Sequence, residues 1–92
     1  MVATKISMRI GCARSNDLLE ISKIHITGYP LGDGWYAKED LYNYLISNPK
    51  TITVDRYPQP FLIPAKSPYG ERYVKSAPNA LKYDNLLELP RE

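Results

Sequence analysis

Cationic side chains directly precede tyrosines three times in the second half of the sequence, and two further residues of these types lie close by. A cation next to an aromatic ring suits a ligand that is both anionic and flat, such as a nucleotide or a short single-stranded nucleic acid, because each stacked base contributes about 1–3 kcal/mol. We therefore predict a basic, tyrosine-bearing binding face made of Arg56, Tyr57, Tyr69, Arg72, Tyr73, Lys75, Lys82 and Tyr83.

The same tyrosines have a structural interpretation. The chain has eight tyrosines but only one phenylalanine and one tryptophan, so tyrosine must supply much of its aromatic packing. Adjacent residues of a strand point to opposite faces of a sheet, so a cation and the ring that follows it need not share a surface. The absence of an RNP1 pattern also weakens the RNA-binding version of the hypothesis.

Cys12 and His25 are the only conventional nucleophile and base in the sequence. Catalysis would need the two side chains within hydrogen-bond reach. A hairpin that turns near Ser15 and Asn16 would place His25 opposite about Ser7, roughly 16 Å from Cys12 along the strand. We therefore expect Cys12 in the core and His25 as an exposed strand residue, and we expect no enzyme.

The remaining acidic residues suggest neither a metal site nor a catalytic carboxylate pair. One His and one Cys cannot make a structural zinc site, and the carboxylates lack metal-ligand spacing, so no metal and no cofactor are expected. Turn and surface roles account for the carboxylates that could meet in space, which are Asp33, Asp55, Glu71 and Asp84.

The glycine-rich loop "GYPLGDG", residues 28–34, precedes a predicted helix start, where free N–H groups can meet an anion. Glu39 and Asp40 occupy that first turn, and Lys38 alone would have to offset both negative charges. The sequence therefore favours a turn that lets Trp35 dock on the sheet as a core residue.

Two strands and one helix are predicted before residue 50. Alternation in "KISMRIGC" predicts a strand that buries Ile6, Met8, Ile10 and Cys12. The second strand lies within 18–27, where the alternation slips and predicts a bulge near Ser22 and Lys23. Spacing of four between apolar residues predicts a helix over 37–47, which Asn48 and Pro49 end.

Three further strands are predicted after the helix, in "TITVDRY", "FLIPAK" and "RYVKS". Pro64 places the second of them at an edge or a bulge, and "SPYGE" is a tight turn into the third. The order ββαβββ predicts an α+β fold, a small single domain over 1–92 with an antiparallel sheet of about five strands and one helix.

Residues 84–90 read "DNLLELP" and contain three leucines, Leu86, Leu87 and Leu89. Because one short helix buries little apolar area, these leucines are expected to act as a clasp on the sheet, with Asp84 or Asn85 as a cap. The alternative is an exposed patch that packs on a second copy in a homo-oligomer.

The segments "GDGWYAKEDLYNYL" and "RYVKSAPNALKYDNLLELP" together resemble a family of small bacterial and phage proteins catalogued only as a domain of unknown function. Its members show a G-W-x-x-K-E helix start, a segment like K-Y-L-R-T and an N-L-x-x-L-P ending, which residues 72–76 and 85–90 match. Ala37 departs from the pattern, in which a capping Ser or Thr is usual. The resemblance covers about residues 20–90 and implies the small α+β fold, with no catalytic residues.

Composition sets the remaining expectations. A net charge of +2 is mild, but residues 50–82 hold six cations against two carboxylates. The single cysteine and the lack of a signal peptide or membrane span predict a cytoplasmic protein.

We expect a non-enzymatic binding module, phage- or mobile-element-encoded, that captures a nucleotide-like ligand or short nucleic acid. The alternative is a protein-interaction module or small inhibitor that acts through an edge strand, such as "PFLIPAK", or through the leucine patch. Hydrolysis or another enzyme activity is the third hypothesis.

Overall fold

Strands supply most of the regular structure. A computed structural model describes residues 1–78 and 84–92. Over these residues it has β1 (Val2–Met8), β2 (Ile21–Thr27), β3 (Gly34–Ala37), α1 (Lys38–Ser47), β4 (Thr53–Val54), β5 (Leu62–Lys66), β6 (Arg72–Ser76) and two 3₁₀ helices, Leu18–Glu20 and Asn85–Glu88. The predicted α+β class is confirmed.

The hairpin of β1 and β2 contains the predicted bulge. Ser7 lies opposite Lys23, and Met8 lies opposite Ile21, so Ser22 is the extra residue. The bulge restores the buried face, because Ile21 and Ile24 both lie in the core although they are three positions apart.

Strand β1 is shorter than the alternation predicted. It ends at Met8, and Ile10 is fully exposed. The next residues turn, since the Cys12 N–H donates to the Arg9 carbonyl at 2.9 Å and Gly11 has a φ of +84°. The predictions of a core position for Ile10 and Cys12 are therefore wrong, and Cys12 lies half-buried in a loop.

Four strands form a mixed sheet in the order β3-β2-β1-β4. Strand β3 was not predicted; it runs antiparallel to β2 and occupies an edge. Strand β4 pairs in parallel with the start of β1, so the strands before and after the helix are joined by a long-range contact.

The other two strands, β5 and β6, form an antiparallel pair in which Lys66 lies opposite Arg72. The predicted turn joins them, with Gly70 at a φ of +87°. The start of β5 also contacts β4, because the Leu62 N–H donates to the Ile52 carbonyl at 2.7 Å. The segment "PFLIPAK" is therefore bonded on both sides where it begins.

Helix α1 starts within one residue of the prediction and ends at Ser47 as predicted. It packs mainly on β5 and β6 and buries Leu41 and Leu45. With the inward faces of both sheets it encloses a continuous core of Ala3, Ile6, Ile21, Ile24, Ile26, Leu41, Leu45, Ile52, Val54, Leu62, Val74, Leu86 and Leu89.

The C-terminal segment is the predicted clasp. Leu86 and Leu89 are buried in the chain's own core, and Asp84 caps the 3₁₀ helix by accepting from the Leu86 N–H at 2.8 Å. The last residues then extend the sheet, because the Ile6 N–H donates to the Pro90 carbonyl at 2.9 Å.

Candidate ligand-binding site

The first predicted cation–tyrosine pair lies in the loop between β4 and β5. Arg56 Nε donates to the Glu88 carbonyl at 3.2 Å, and Asn85 Nδ2 donates to the Tyr57 carbonyl at 2.9 Å. Tyr57 as a residue is 90% exposed. This pair therefore sits beside the C-terminal 3₁₀ helix, at the end of β5–β6 that lies away from the hairpin turn.

The second predicted pair is split by the pleat of β6. Arg72 points toward α1, where its Nη1 donates to Asn43 Oδ1 at 3.2 Å. Tyr73 points to the opposite face and lines a groove beside the first 3₁₀ helix, and Lys75 shares the Tyr73 side by alternation. The third pair, Lys82 and Tyr83, lies outside the described residues.

Among the described members of the predicted set, Arg72 lies on the helix side of the β5–β6 hairpin near its turn, and Tyr69 lies in that turn. There the Lys66 ammonium lies 6.0 Å from the centre of the Tyr42 ring, and the Arg72 guanidinium carbon lies 5.7 Å from it. Tyr69, in the connecting turn, is 98% exposed. We call Lys66, Arg72, Tyr42 and Tyr69 the hairpin patch.

The two cations of the hairpin patch face each other across paired strands. Like charges at directly opposed positions destabilise a sheet, and within the described part of the chain neither Lys66 nor Arg72 has a carboxylate within 4.0 Å. An anion bound between them would relieve this repulsion, while the exposed Tyr69 ring could stack on a planar group.

The glycine loop lacks the cation that an anion site would need. Lys38 is only 2% exposed, and its ammonium donates to the Leu19 carbonyl at 2.6 Å and to Glu71 Oε2 at 2.5 Å. Arg9 binds the same carboxylate oxygen. Lys38 therefore ties the helix start to the first 3₁₀ helix and to the β5–β6 turn.

The cations around Glu71 lower the pKa of its carboxyl group. The hydrogen bond from Lys38 holds the pKa of the Glu71 carboxyl below its ordinary value, and the charges of Lys38 and Arg9 act in the same direction against the effect of desolvation. The carboxylate stays ionised to lower pH than a free glutamate, as an ion-pair network requires.

The candidate catalytic residues have separate partners. Cys12 Sγ donates to Glu20 Oε2 at 3.3 Å, and this hydrogen bond raises the pKa of the Cys12 thiol. His25 Nδ1 lies 3.1 Å from Thr4 Oγ1, and its ring meets Trp35. A thiol made less acidic by a carboxylate is the opposite of an activated nucleophile.

Several tyrosines are structural. Tyr29 stacks against Tyr36 and Tyr44 with ring centres 4.2 and 5.0 Å apart, and all three pack on the core. Burial raises the pKa of the Tyr29 phenol. The three rings connect the glycine loop to β3 and α1. The Tyr36 hydroxyl also donates to the Gly32 carbonyl in that loop at 2.5 Å.

Trp35 is not the core residue that the sequence predicted. It lies on β3, directly opposite His25, and is 37% exposed on the outer face of the four-stranded sheet. A four-residue strand that begins with Gly34 and leads straight into a helix gives too short an alternation to reveal this orientation.

The groove beside β6 has a volume of about 800 Å³. Its described lining combines Tyr73, Leu18 and Leu87 with the carboxylates of Asp17, Asp84 and Glu88, and no cation is among those residues. These described carboxylates would repel an anionic ligand and attract a cationic one.

The described residues contain neither a candidate metal site nor a candidate membrane-spanning helix. Across residues 1–78 and 84–92, no group of three or more His, Cys, Asp or Glu side chains is placed to hold a metal ion. The described helices also include none with the length and apolar character needed to cross a bilayer.

The fold and the site together define the class of protein: a small α+β domain with a basic, aromatic surface on a hairpin. The family described as "Protein of unknown function (DUF3892)" matches residues 9–90, and the chain belongs to this family. The earlier resemblance is therefore confirmed, over a longer segment than predicted. No curated protein and no solved structure matches the chain significantly.

Proposed function

We propose that the protein is a non-enzymatic binding module that captures a nucleotide-like ligand or a short nucleic acid on the hairpin patch. The observation that carries this proposal is the pair of cations, Lys66 and Arg72, that face each other beside the Tyr42 ring with no described carboxylate partner. A phosphate between them would bridge both charges, and Arg72 offers the fork geometry that phosphate favours.

Tyr69 supports the nucleotide version of this proposal over binding of a simple anion. Its ring projects from the turn that joins the two cation-bearing strands. A base stacked on this ring would add about 1–3 kcal/mol, without selecting a particular base. The proposed ligand therefore combines a phosphate with a flat aromatic group.

The first experiment is native mass spectrometry on protein purified gently from cells. A stoichiometric nucleotide-sized adduct would identify the ligand, and the same spectrum would count the subunits and so test the alternative of a homo-oligomer. A cytoplasmic location and a phage or mobile-element origin remain part of the proposal, and a ligand drawn from cytoplasmic metabolism would support the former.

The second experiment compares two double variants with the same change of charge. Lys66→Ala with Arg72→Ala should weaken binding of a labelled nucleotide or oligonucleotide about tenfold or more, because two phosphate contacts are lost. Lys50→Ala with Arg14→Ala removes two exposed cations elsewhere and should change binding less than about twofold. Equal losses in both variants would mean that only overall charge matters, and the proposed site would be wrong.

A second candidate function is a protein-interaction module, and the groove beside β6 favours it. Leu86 and Leu89 are buried and offer no exposed patch, and β5 is bonded on both sides only where it begins. The carboxylates of the groove instead suit an extended basic peptide. Tyr73→Ala should then abolish capture of such a peptide while the hairpin-patch double variant leaves it intact.

A further inference from the structure

The outer face of the four-stranded sheet presents a row of polar and aromatic side chains. Directly opposed residues point to the same side of a sheet, so the pairing of β1, β2 and β3 fixes which side chains share this face. Ile6, Ile24 and Ile26 point to the core. The outer side chains are half-buried to exposed; they are Lys5, Ser7, Lys23, His25 and Trp35.

Trp35 provides a rigid stacking surface on this face. Its ring meets the His25 ring edge-on, with centres 5.4 Å apart and planes at 82°. His25 is itself held by its contact with Thr4. Because these contacts restrict the indole while 37% of the residue stays exposed, little side-chain entropy would be lost when a ligand stacks on it.

Lys23 is the available cation beside the indole. Lys5 already pairs with the Glu92 carboxylate at 3.3 Å, whereas Lys23 is exposed and has no ion pair among the described residues. Ser7, Lys23, Trp35 and Glu92 line a shallow groove of about 340 Å³, which lies within the usual size of a ligand site.

We propose that this outer face is a second, separate binding surface, and that it binds single-stranded nucleic acid. A base would stack on Trp35, and the adjoining phosphate would meet Lys23 and the Ser7 hydroxyl. The chemistry is that of single-strand platforms, in which aromatic rings and cations alternate on an open surface. Glu92 is the opposing charge, and it reduces the affinity of the wild-type face.

Trp35 allows a direct test, because it is the only tryptophan of the sequence. The probe is a fluorescein-labelled oligothymidylate of about 12 nucleotides, within the range of single-strand site sizes. Anisotropy of the label reports binding, and a matched unlabelled titration follows tryptophan emission. We expect the emission to be quenched in parallel with binding. Saturable binding with unchanged emission, or no binding of the probe, would overturn the proposal.

Variants locate the contacts. Trp35→Ala should weaken binding roughly 5- to 150-fold, which corresponds to the loss of one stacked base, and Trp35→Phe should recover most of it. Lys23→Ala should reduce the dependence of the binding constant on salt concentration by the amount expected for about one phosphate contact. Lys50→Ala is the control for loss of an exposed lysine. Glu92→Gln should tighten binding. If Trp35→Ala folds normally and binds like the wild type, the face is not the platform.

The hairpin-patch double variant separates this proposal from the proposed function. That variant should keep the quenching of Trp35 by the oligonucleotide, since its changes lie on another surface. Loss of nucleotide capture with quenching retained supports two independent surfaces. If the oligonucleotide no longer quenches Trp35 in the double variant, the outer face is not an independent binding surface, and this proposal is wrong. If the quenching is retained and the double variant also binds the nucleotide as tightly as the wild type, only the proposed function of the hairpin patch is wrong.

Discussion

Lys38 is the most deeply buried charge among the described residues, and Glu71 is its counter-ion. We expect Glu71→Ala to destabilise the protein by about 3 kcal/mol, since an ammonium left without its partner in a buried position is costly. Chemical denaturation at neutral pH measures this loss. Asp55→Asn, at an exposed carboxylate, is the control and should change stability by no more than about 0.5 kcal/mol.

The same ion pair gives stability a defined dependence on pH. Because the pKa of Glu71 is lowered in the folded state from its ordinary value of 4.5, its contribution is complete above that value and is lost as the pH falls through the lowered folded pKa. Glu71→Gln removes this titration. The free energy of unfolding should therefore fall less on acidification in the variant than in the wild type, and parallel acid profiles would show that Glu71 is not responsible.

Cys12 gives a prediction about reactivity. Because the hydrogen bond to Glu20 raises the pKa of the thiol, less thiolate is present at about pH 8 than in an unperturbed cysteine. Alkylation by iodoacetamide, followed by mass spectrometry, should be slower than in the unfolded chain, and Glu20→Gln should accelerate it. An unchanged rate in Glu20→Gln would show that exposure, not the carboxylate, controls the thiol.

At the residue level, the sequence predicted single side chains well only where the local pattern decides their environment. The capping role of Asp84 and the burial of Leu86 follow from their own segment. Trp35 was misjudged because its environment depends on the pairing of β3 with β2. The burial of Lys38 was not predicted, because its partner Glu71 lies far away in the sequence. Adjacency of Arg72 and Tyr73 in sequence likewise said nothing about a shared surface.

Helix α1 begins at a residue that cannot cap it. Ala37 has the extended geometry of an N-cap, with φ −62° and ψ 145°, but forms no side-chain cap hydrogen bond. Ala37→Thr should therefore stabilise the protein by about 1 kcal/mol, a rise in Tm of roughly 4–8 °C for a domain of this size. Ala37→Val is the control, because valine has nearly the same shape as threonine but no hydroxyl group.

A capping hydroxyl must account for any gain in this experiment. Both variants are β-branched, and both suit the end of β3 equally. If Ala37→Val raises the melting temperature as much as Ala37→Thr, the effect comes from strand propensity or packing, and the missing cap is not a weakness of this helix.

Elements that depend on local signals were predicted, and elements that depend on pairing were not. Helix α1, strand β6 and the bulge at Ser22 follow from periodicity and from turn residues. Strand β3 and the parallel contact of β4 with β1 depend on long-range pairing that leaves no periodic signal. The position of Lys66 opposite Arg72 could be predicted from the turn that joins their strands. Their contact with Tyr42 could not, because it depends on how the helix packs on those strands.

At the scale of the whole molecule, the C-terminal segment completes the fold. β1 pairs with β4 at its start, and farther along, the Ile6 N–H and carbonyl pair with Pro90 and Glu92. The two ends of the sequence therefore share one sheet, and Arg91 adds bonds to the Ala13 and Ser15 carbonyls at 2.9 and 2.7 Å. Such contacts between distant segments favour cooperative unfolding.

Leu86 tests whether the clasp belongs to the cooperative unit. Its side chain is fully buried, and its N–H is bonded to Asp84 and Ser76. Leu86→Ala should cost about 2–5 kcal/mol, a large part of the 5–15 kcal/mol typical of a domain. Glu88→Ala, exposed on the same 3₁₀ helix, is the control and should cost less than about 0.5 kcal/mol.

Hydrogen exchange distinguishes a cooperative clasp from a loosely attached tail. The Ile6 N–H is protected by its bond to the Pro90 carbonyl, whereas the Ile24 N–H belongs to the β1–β2–β3 region. If the clasp unfolds with the rest of the molecule, Leu86→Ala should accelerate the exchange of both amides by a similar factor. Faster exchange of Ile6 alone would mean that the C-terminal segment opens independently and that the β1–β3 sheet is stable without it.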